Sequence, residues 1–86
     1  MKARDAFISH RHRFSLGSND ETGQFYLSIP VGNRLADYEE YYALTPEEFE
    51  RFLHDEEAAA SFANRCRTRQ LDHLLVVPPG SDRGQG

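Results

Sequence analysis

The segment Thr45-Pro46-Glu47-Glu48 constrains the fold more than any other in the chain. It offers a hydroxyl at a helix N-cap, proline at the first helical position and a glutamate three residues on, the pattern of a capping box. It also divides the sequence. Ahead of it apolar residues recur at every second position, the spacing of strands, and behind it at every third or fourth, the spacing of helices.

In the first half, residues 6–16 (AFISHRHRFSL) alternate without a break, with Ile8, His10, His12, Phe14 and Leu16 on one face and Phe7, Ser9, Arg11, Arg13 and Ser15 on the other. One continuous strand is predicted. Residues 17–23 (GSNDETG) concentrate turn formers. QFYLSIPV then alternates again, with Phe25, Leu27, Ile29 and Val31 inward and Tyr26 and Ser28 outward, so a hairpin is expected. Pro30 removes a donor near its end, and Gly32-Asn33 marks a loop. In DYEEYYAL, Tyr38, Glu40, Tyr42 and Leu44 alternate with Glu39, Tyr41 and Ala43, and the aromatic content favours a third strand. That spacing turns Tyr42 and Leu44 inward and leaves Glu39 and Tyr41 to solvent.

In the second half, Phe49, Phe52 and Leu53 give a short first helix. Asp55 caps a second, with Ala59, Phe62, Ala63 and Cys66 as its buried stripe and Arg65, Arg67 and Arg69 at its exposed, C-terminal end. LDHLLVV (71–77) suits a short buried strand, and residues 78–86 (PPGSDRGQG) form a flexible C-terminal tail. The expectation is a single α+β domain over residues 1–77, an antiparallel sheet in the order β-β-β-α-α-β with two helices on one face. At 86 residues such a chain buries roughly 60–65% of its extended surface, one modest core.

Composition excludes several classes. Cys66 is the single cysteine, so neither an internal disulfide nor a multi-cysteine zinc site is available. No apolar run approaches the roughly 20 residues of a membrane helix, and the first residues lack an apolar signal segment, so a cytoplasmic location without membrane contact is expected. No glycine-rich phosphate loop occurs. His10-x-His12 would share a strand face and could begin a metal site, the basis for an alternative reading as a small metal-dependent enzyme or regulator, but no third ligand is evident. Otherwise no metal and no cofactor is expected. Asp72-His73 and His54-Asp55 invite a general-base role, and for Asp72-His73 adjacency on a strand argues against it. Cys66 has arginines beside it but sits on the buried stripe. With no acid and base paired in a cleft, a non-enzymatic protein is the better reading.

Charge is distributed unevenly about a net value of −4. Residues 1–16 carry +3, residues 37–57 carry −8 and residues 65–86 carry +2. Helix starts collect acids and helix ends collect arginines for dipole reasons alone, which accounts for Glu47, Glu48, Asp55, Glu56 and Glu57. It does not account for Asp37, Glu39 and Glu40, which precede the first helix among tyrosines. Asp37, Tyr38, Glu39, Glu40 and Tyr41 are therefore the candidate partner-binding residues. Tyrosine supplies rigid contact area and carboxylates steer a basic protein. The same charge disfavours nucleic acid as a partner. An adaptor or oligomeric structural role fits the composition too, and the oligomeric state stays open.

The stretches FYLSIPVGNRLADYEEYYALTPEEFERFL and FANRCRTRQLDHLLVVPPGSDRG, within residues 25–84, resemble a group of small bacterial proteins associated with immunity against polymorphic or contact-dependent growth-inhibition toxins. The shared features are the YEEYY segment, the TPEE helix start, the arginine-rich segment and the PG-containing tail. The resemblance highlights Tyr38, Glu39, Glu40, Tyr41, Tyr42, Arg65, Arg67, Asp72 and Arg83, and implies a specific inhibitor of a cognate protein toxin, such as a nuclease with a basic active site. The histidine-containing N-terminal strand has no counterpart in it.

Overall fold

The computed structural model describes residues 1–32 and 37–78. Strands β1 (Ala3–Ser9), β2 (Phe14–Asn19), β3 (Phe25–Gly32) and β4 (Asp37–Leu44) form one antiparallel sheet in the spatial order β1-β2-β3-β4. Helices α1 (Pro46–His54) and α2 (Glu56–Arg67) follow and pack on one of its faces. The class is α+β as expected, but the chain order is β-β-β-β-α-α. The Gly32-Asn33 turn and the tail expected at 78–86 fall wholly or mostly outside the described residues.

Two departures account for the changed order. Residues 6–16 are not one strand: β1 ends at Ser9, residues 10–13 turn, and β2 starts at Phe14, with Ser9 opposite Phe14. Four turn residues place an odd-numbered position opposite an even one, so Phe7 and Ser9 face inward on β1 while Phe14 and Leu16 do so on β2. Phe7 packs against Phe14 at a centroid separation of 6.1 Å. The uninterrupted alternation read from the sequence thus runs straight through a turn. The turn is held from the helical side. Arg67 donates to the carbonyl oxygens of His12 (2.8 Å) and Arg13, Ser9 Oγ donates to Glu56 at 2.6 Å, and Arg13 takes a left-handed backbone, φ 56°. The second departure is at 71–77, where a single 3-10 turn (Asp72–Leu74) replaces most of the expected strand. Only a bridge survives, Leu75 opposite Tyr42, with Val76 N donating to the Tyr41 carbonyl at 2.9 Å.

β1 carries one irregularity. Asp5 lies opposite Gly17, but Phe7 lies opposite Leu16, so Ala6 is an extra residue. Such a bulge moves positions 5 and 7, which would otherwise share a face, onto opposite faces. Phe7 joins the core and Asp5 turns away from it.

The helices start and stop as their sequences dictate. Thr45 Oγ1 accepts from Glu48 N at 3.1 Å and Glu48 Oε1 accepts from Thr45 N at 2.8 Å, the full capping box. Asp55 Oδ1 accepts from Ala58 N at 3.1 Å. α2 ends in the paired bonds of a Schellman motif, Gln70 N to Arg65 O and Arg69 N to Cys66 O, with Arg69 rather than glycine in the left-handed position. Leu16, Leu27, Ile29, Tyr42 and Leu44 from the sheet and Phe52, Ala59, Phe62, Ala63 and Cys66 from the helices make the core. The small side chains of Ala59, Ala63 and Cys66 let α2 lie close to the sheet.

Candidate functional site

The face of the sheet opposite the helices takes its character from strand register. One cross-strand row on it reads Asp5, Gly17, Tyr26, Ala43 from β1 to β4, and the next reads Ile8, Ser15, Ser28, Tyr41. Beyond that, Pro30 faces Glu39. In the second row short side chains occupy the middle and larger ones the edges, whereas the first carries Tyr26 beside Gly17 in its middle.

Tyr26 uses the space left by Gly17. A Cβ there would stand 2.5 Å from the Tyr26 hydroxyl oxygen and 2.1 Å from the Arg4 carbonyl oxygen, so the ring lies where any side chain on β2 would be. From β3 it crosses β2 and donates to Asp5 Oδ1 on β1 at 2.5 Å. Tyr41 stands against it edge to face, centroids 4.9 Å apart and planes at 88°. Tyr26 is wholly buried although no helix covers this side. Burial and then the Asp5 carboxylate push its phenol far up, so it stays protonated and keeps donating.

Glu39 closes the site from the opposite edge. Its carboxyl is raised, first by loss of water and then by Asp5, while the Ser28 hydroxyl favours the charged form. Tyr41 is raised by burial and by the negative field of Glu39 and Asp5. Asp5 and Glu39 therefore come from the two outer strands to within each other's electrostatic reach. Ion pairs join Glu21, Asp20, Glu57 and Glu50 to cations, and none among the described residues includes Asp5 or Glu39. Ser28, 1% exposed, keeps its hydroxyl out of water on the side of Glu39. Alongside runs an open groove of about 380 Å³, lined by Ile8, His10, Arg13, Ser15, Pro30 and Glu39 among others. Ile8 is 50% exposed there, a large apolar side chain facing water.

The candidate residues divide between the two faces. Asp37, Glu39 and Tyr41 lie on the open face, where period two puts them. Tyr38 and Glu40 turn toward the helices. Glu40 is 6% exposed and accepts from the Tyr42 hydroxyl at 3.0 Å, so it is built into the core margin. His10 and His12 lie in the turn and not on one strand face, which removes the spacing behind the metal alternative. His10 is exposed, whereas His12 stacks near Phe14 with Nε2 3.5 Å from Glu57. Among the described residues no three histidine, cysteine or acidic side chains gather at a metal-binding separation. Burial pushes the Cys66 thiol up to about 12, against the opposing effect of Arg67 and Arg65. His54 contacts its own helix through the Glu50 carbonyl and carboxylate, and Asp72-His73 fall in the 3-10 turn. No described helix is long and apolar enough to cross a membrane.

Sequence reasoning missed Asp5, Tyr26 and Ser28. Gly17, read as the start of the turn-forming run, instead lies inside β2, where glycine marks a close approach, and that was the signal for Tyr26. Nothing signalled Asp5, whose facing depends on the bulge. No protein-family model matches this chain, and no curated protein or solved structure shows significant similarity to it.

Proposed function

We propose that this chain is a non-enzymatic binding protein that captures a basic partner on the open face of its sheet, in the manner of an immunity protein neutralising a cognate toxin in the cytoplasm. The supporting observation is that Asp5 and Glu39, on the two edge strands, both lie on the sheet face away from the helices, with no ion pair to either among the described residues. Asp5 helps to raise the Glu39 carboxyl, and an incoming cation relieves such repulsion between like charges. Their field steers a basic surface from a distance, and Tyr41 and Ile8 provide contact area once it arrives. The toxin identity rests on the resemblance of the YEEYY and TPEE segments. A nuclease suits it physically, because an active site shaped for polyanions presents cations.

Co-expression with the protein encoded immediately upstream tests this. The expected result is rescue of growth and copurification of a complex. Glu39→Lys should slow association by at least about tenfold at low salt, since charge at the rim acts mainly through the on-rate. Failure to rescue or to copurify the neighbour removes the immunity reading.

A further inference from the structure

We propose that the groove at the turn end of the open face is a binding site for a free α-amino acid with an apolar side chain, its carboxylate held by Arg13 and its ammonium by Glu39 across Pro30. This goes beyond the partner reading above, since it concerns a small zwitterion and needs no protein partner.

Register places the charges. Pro30 lies opposite Glu39, and the β2–β3 register, carried two residues past Ser15 opposite Ser28, sets Arg13 at the level of Pro30. A third row thus reads Arg13, Pro30, Glu39, with a cation and an anion on either side of an uncharged ring. Their backbones stand two strand spacings apart, roughly 9.5 Å. Arg13 and Glu39 do not pair with each other among the described residues, although both line one groove of about 380 Å³. Opposite charges held apart across an apolar floor suit a ligand that carries both signs. In an α-amino acid the two charged groups flank a single carbon, so the molecule and two hydrogen bonds of about 2.8 Å close that gap.

The surroundings fit the rest of the molecule. Ile8, half-exposed, lines the groove with Pro30 and gives the apolar side chain a wall. His10 lines it from the same turn as Arg13 and adds a donor toward the carboxylate. The turn is fixed beforehand, because Arg67 donates to the carbonyl oxygens of His12 and Arg13 and the Arg13 backbone is left-handed at φ 56°. At the other end, Glu39 has lost part of its water, a cost that an ammonium offsets. The volume, about 380 Å³, lies low in the range of roughly 300–1,000 Å³ for small-molecule sites and suits a ligand of about one residue. A chain terminus would bring one of the two charges and leave the other end of the groove unanswered.

The test is a titration of the isotope-labelled full chain with leucine, leucine methyl ester, N-acetyl-leucine and glycine, followed by amide NMR shifts. Leucine should shift Ile8, Arg13, Ser15 and Glu39 saturably. The ester lacks the carboxylate and the acetyl compound lacks the ammonium, so each should bind at least about tenfold more weakly. Glycine, without the apolar side chain, should bind at least about threefold more weakly. Two variants assign the ends. Arg13→Gln should weaken leucine binding at least about fivefold and abolish its advantage over the ester, whereas Glu39→Gln should abolish its advantage over the acetyl compound and leave that over the ester. Glu47→Gln on α1 should change neither, and thermal melts confirm that all three variants are folded. No saturable shift with leucine, equal binding of the ester or the acetyl compound, or variants that weaken all four ligands alike would overturn the site.

Discussion

Tyr26 and Tyr42 are both wholly buried and both donate a phenolic proton to a carboxylate, yet they occupy opposite faces of one sheet. Tyr42 lies under the helices, close also to the Cys66 carbonyl at 3.4 Å, and its acceptor Glu40 is nearly as buried as it is. Tyr26 lies across a glycine on the uncovered side, and its acceptor Asp5 is exposed. The same pair of groups does different work in the two places. Inside, the carboxylate is an acceptor fixed by its surroundings, and its charge serves the fold. Outside, the tyrosine positions the carboxylate, and the charge remains directed at water and whatever replaces it.

That contrast predicts a hierarchy of effects. Glu40→Lys should be the most damaging, placing an ammonium where a buried carboxylate accepts from Tyr42, at a cost of about 3–5 kcal/mol, enough to unfold a chain of this size at moderate temperature. Asp5→Ala should cost only about 1–2 kcal/mol, the loss of one acceptor at a partly wetted site. Chemical denaturation of the two variants compares them directly, and equal costs would erase the distinction between the faces. Gly17→Ala should fall between or beside them at about 1–3 kcal/mol, because the new Cβ meets the Arg4 carbonyl and the Tyr26 ring together. It should also release Tyr26 from Asp5, which a downward shift of the phenol in ultraviolet titration would report.

The smallest effect concerns pH. Glu39 has a folded-state pKa above its unfolded value, so the folded state binds its proton more tightly. The stability this contributes is complete below the unfolded pKa and is lost as pH rises through the folded one. Glu39→Gln should therefore leave the melting temperature unchanged in acid and raise it slightly at neutral pH. A neutral-pH decrease would show that Glu39 already has a stabilising cation.

What could be read from the sequence was whatever is encoded within a few residues. The capping box, both helices and the facing of Tyr42, Leu44, Glu39 and Tyr41 follow from local spacing and formed as read. The turn at 10–13 was invisible because His10-Arg11-His12-Arg13 contains no glycine, proline or asparagine. Its geometry comes from tertiary contacts, Arg67 to two carbonyls and Glu56 to Ser9, between residues tens of positions apart. LDHLLVV failed for a related reason, since an apolar run does not specify whether it pairs along its length or at one point. Of the proposed site, β4 showed its half. The other half, Asp5 and the Tyr26 that holds it, depends on pairing across three strands.

The extra residue at Ala6 gives this arrangement a selector that acts by length. Because it separates Asp5 from Phe7 by one supernumerary position, the segment before it and the segment after it keep independent facings. Removing Ala6 would leave Asp5 opposite Gly17 in a regular ladder. Smoothing the bulge with Ala6 retained would slide Ala6 opposite Gly17 and carry Asp5 opposite Ser18, onto the inner face. No substitution at position 5 has that reach. Indels at this one site, more than changes of side chain, would govern whether variants of this protein present an acid to a partner or hide it beneath the helices.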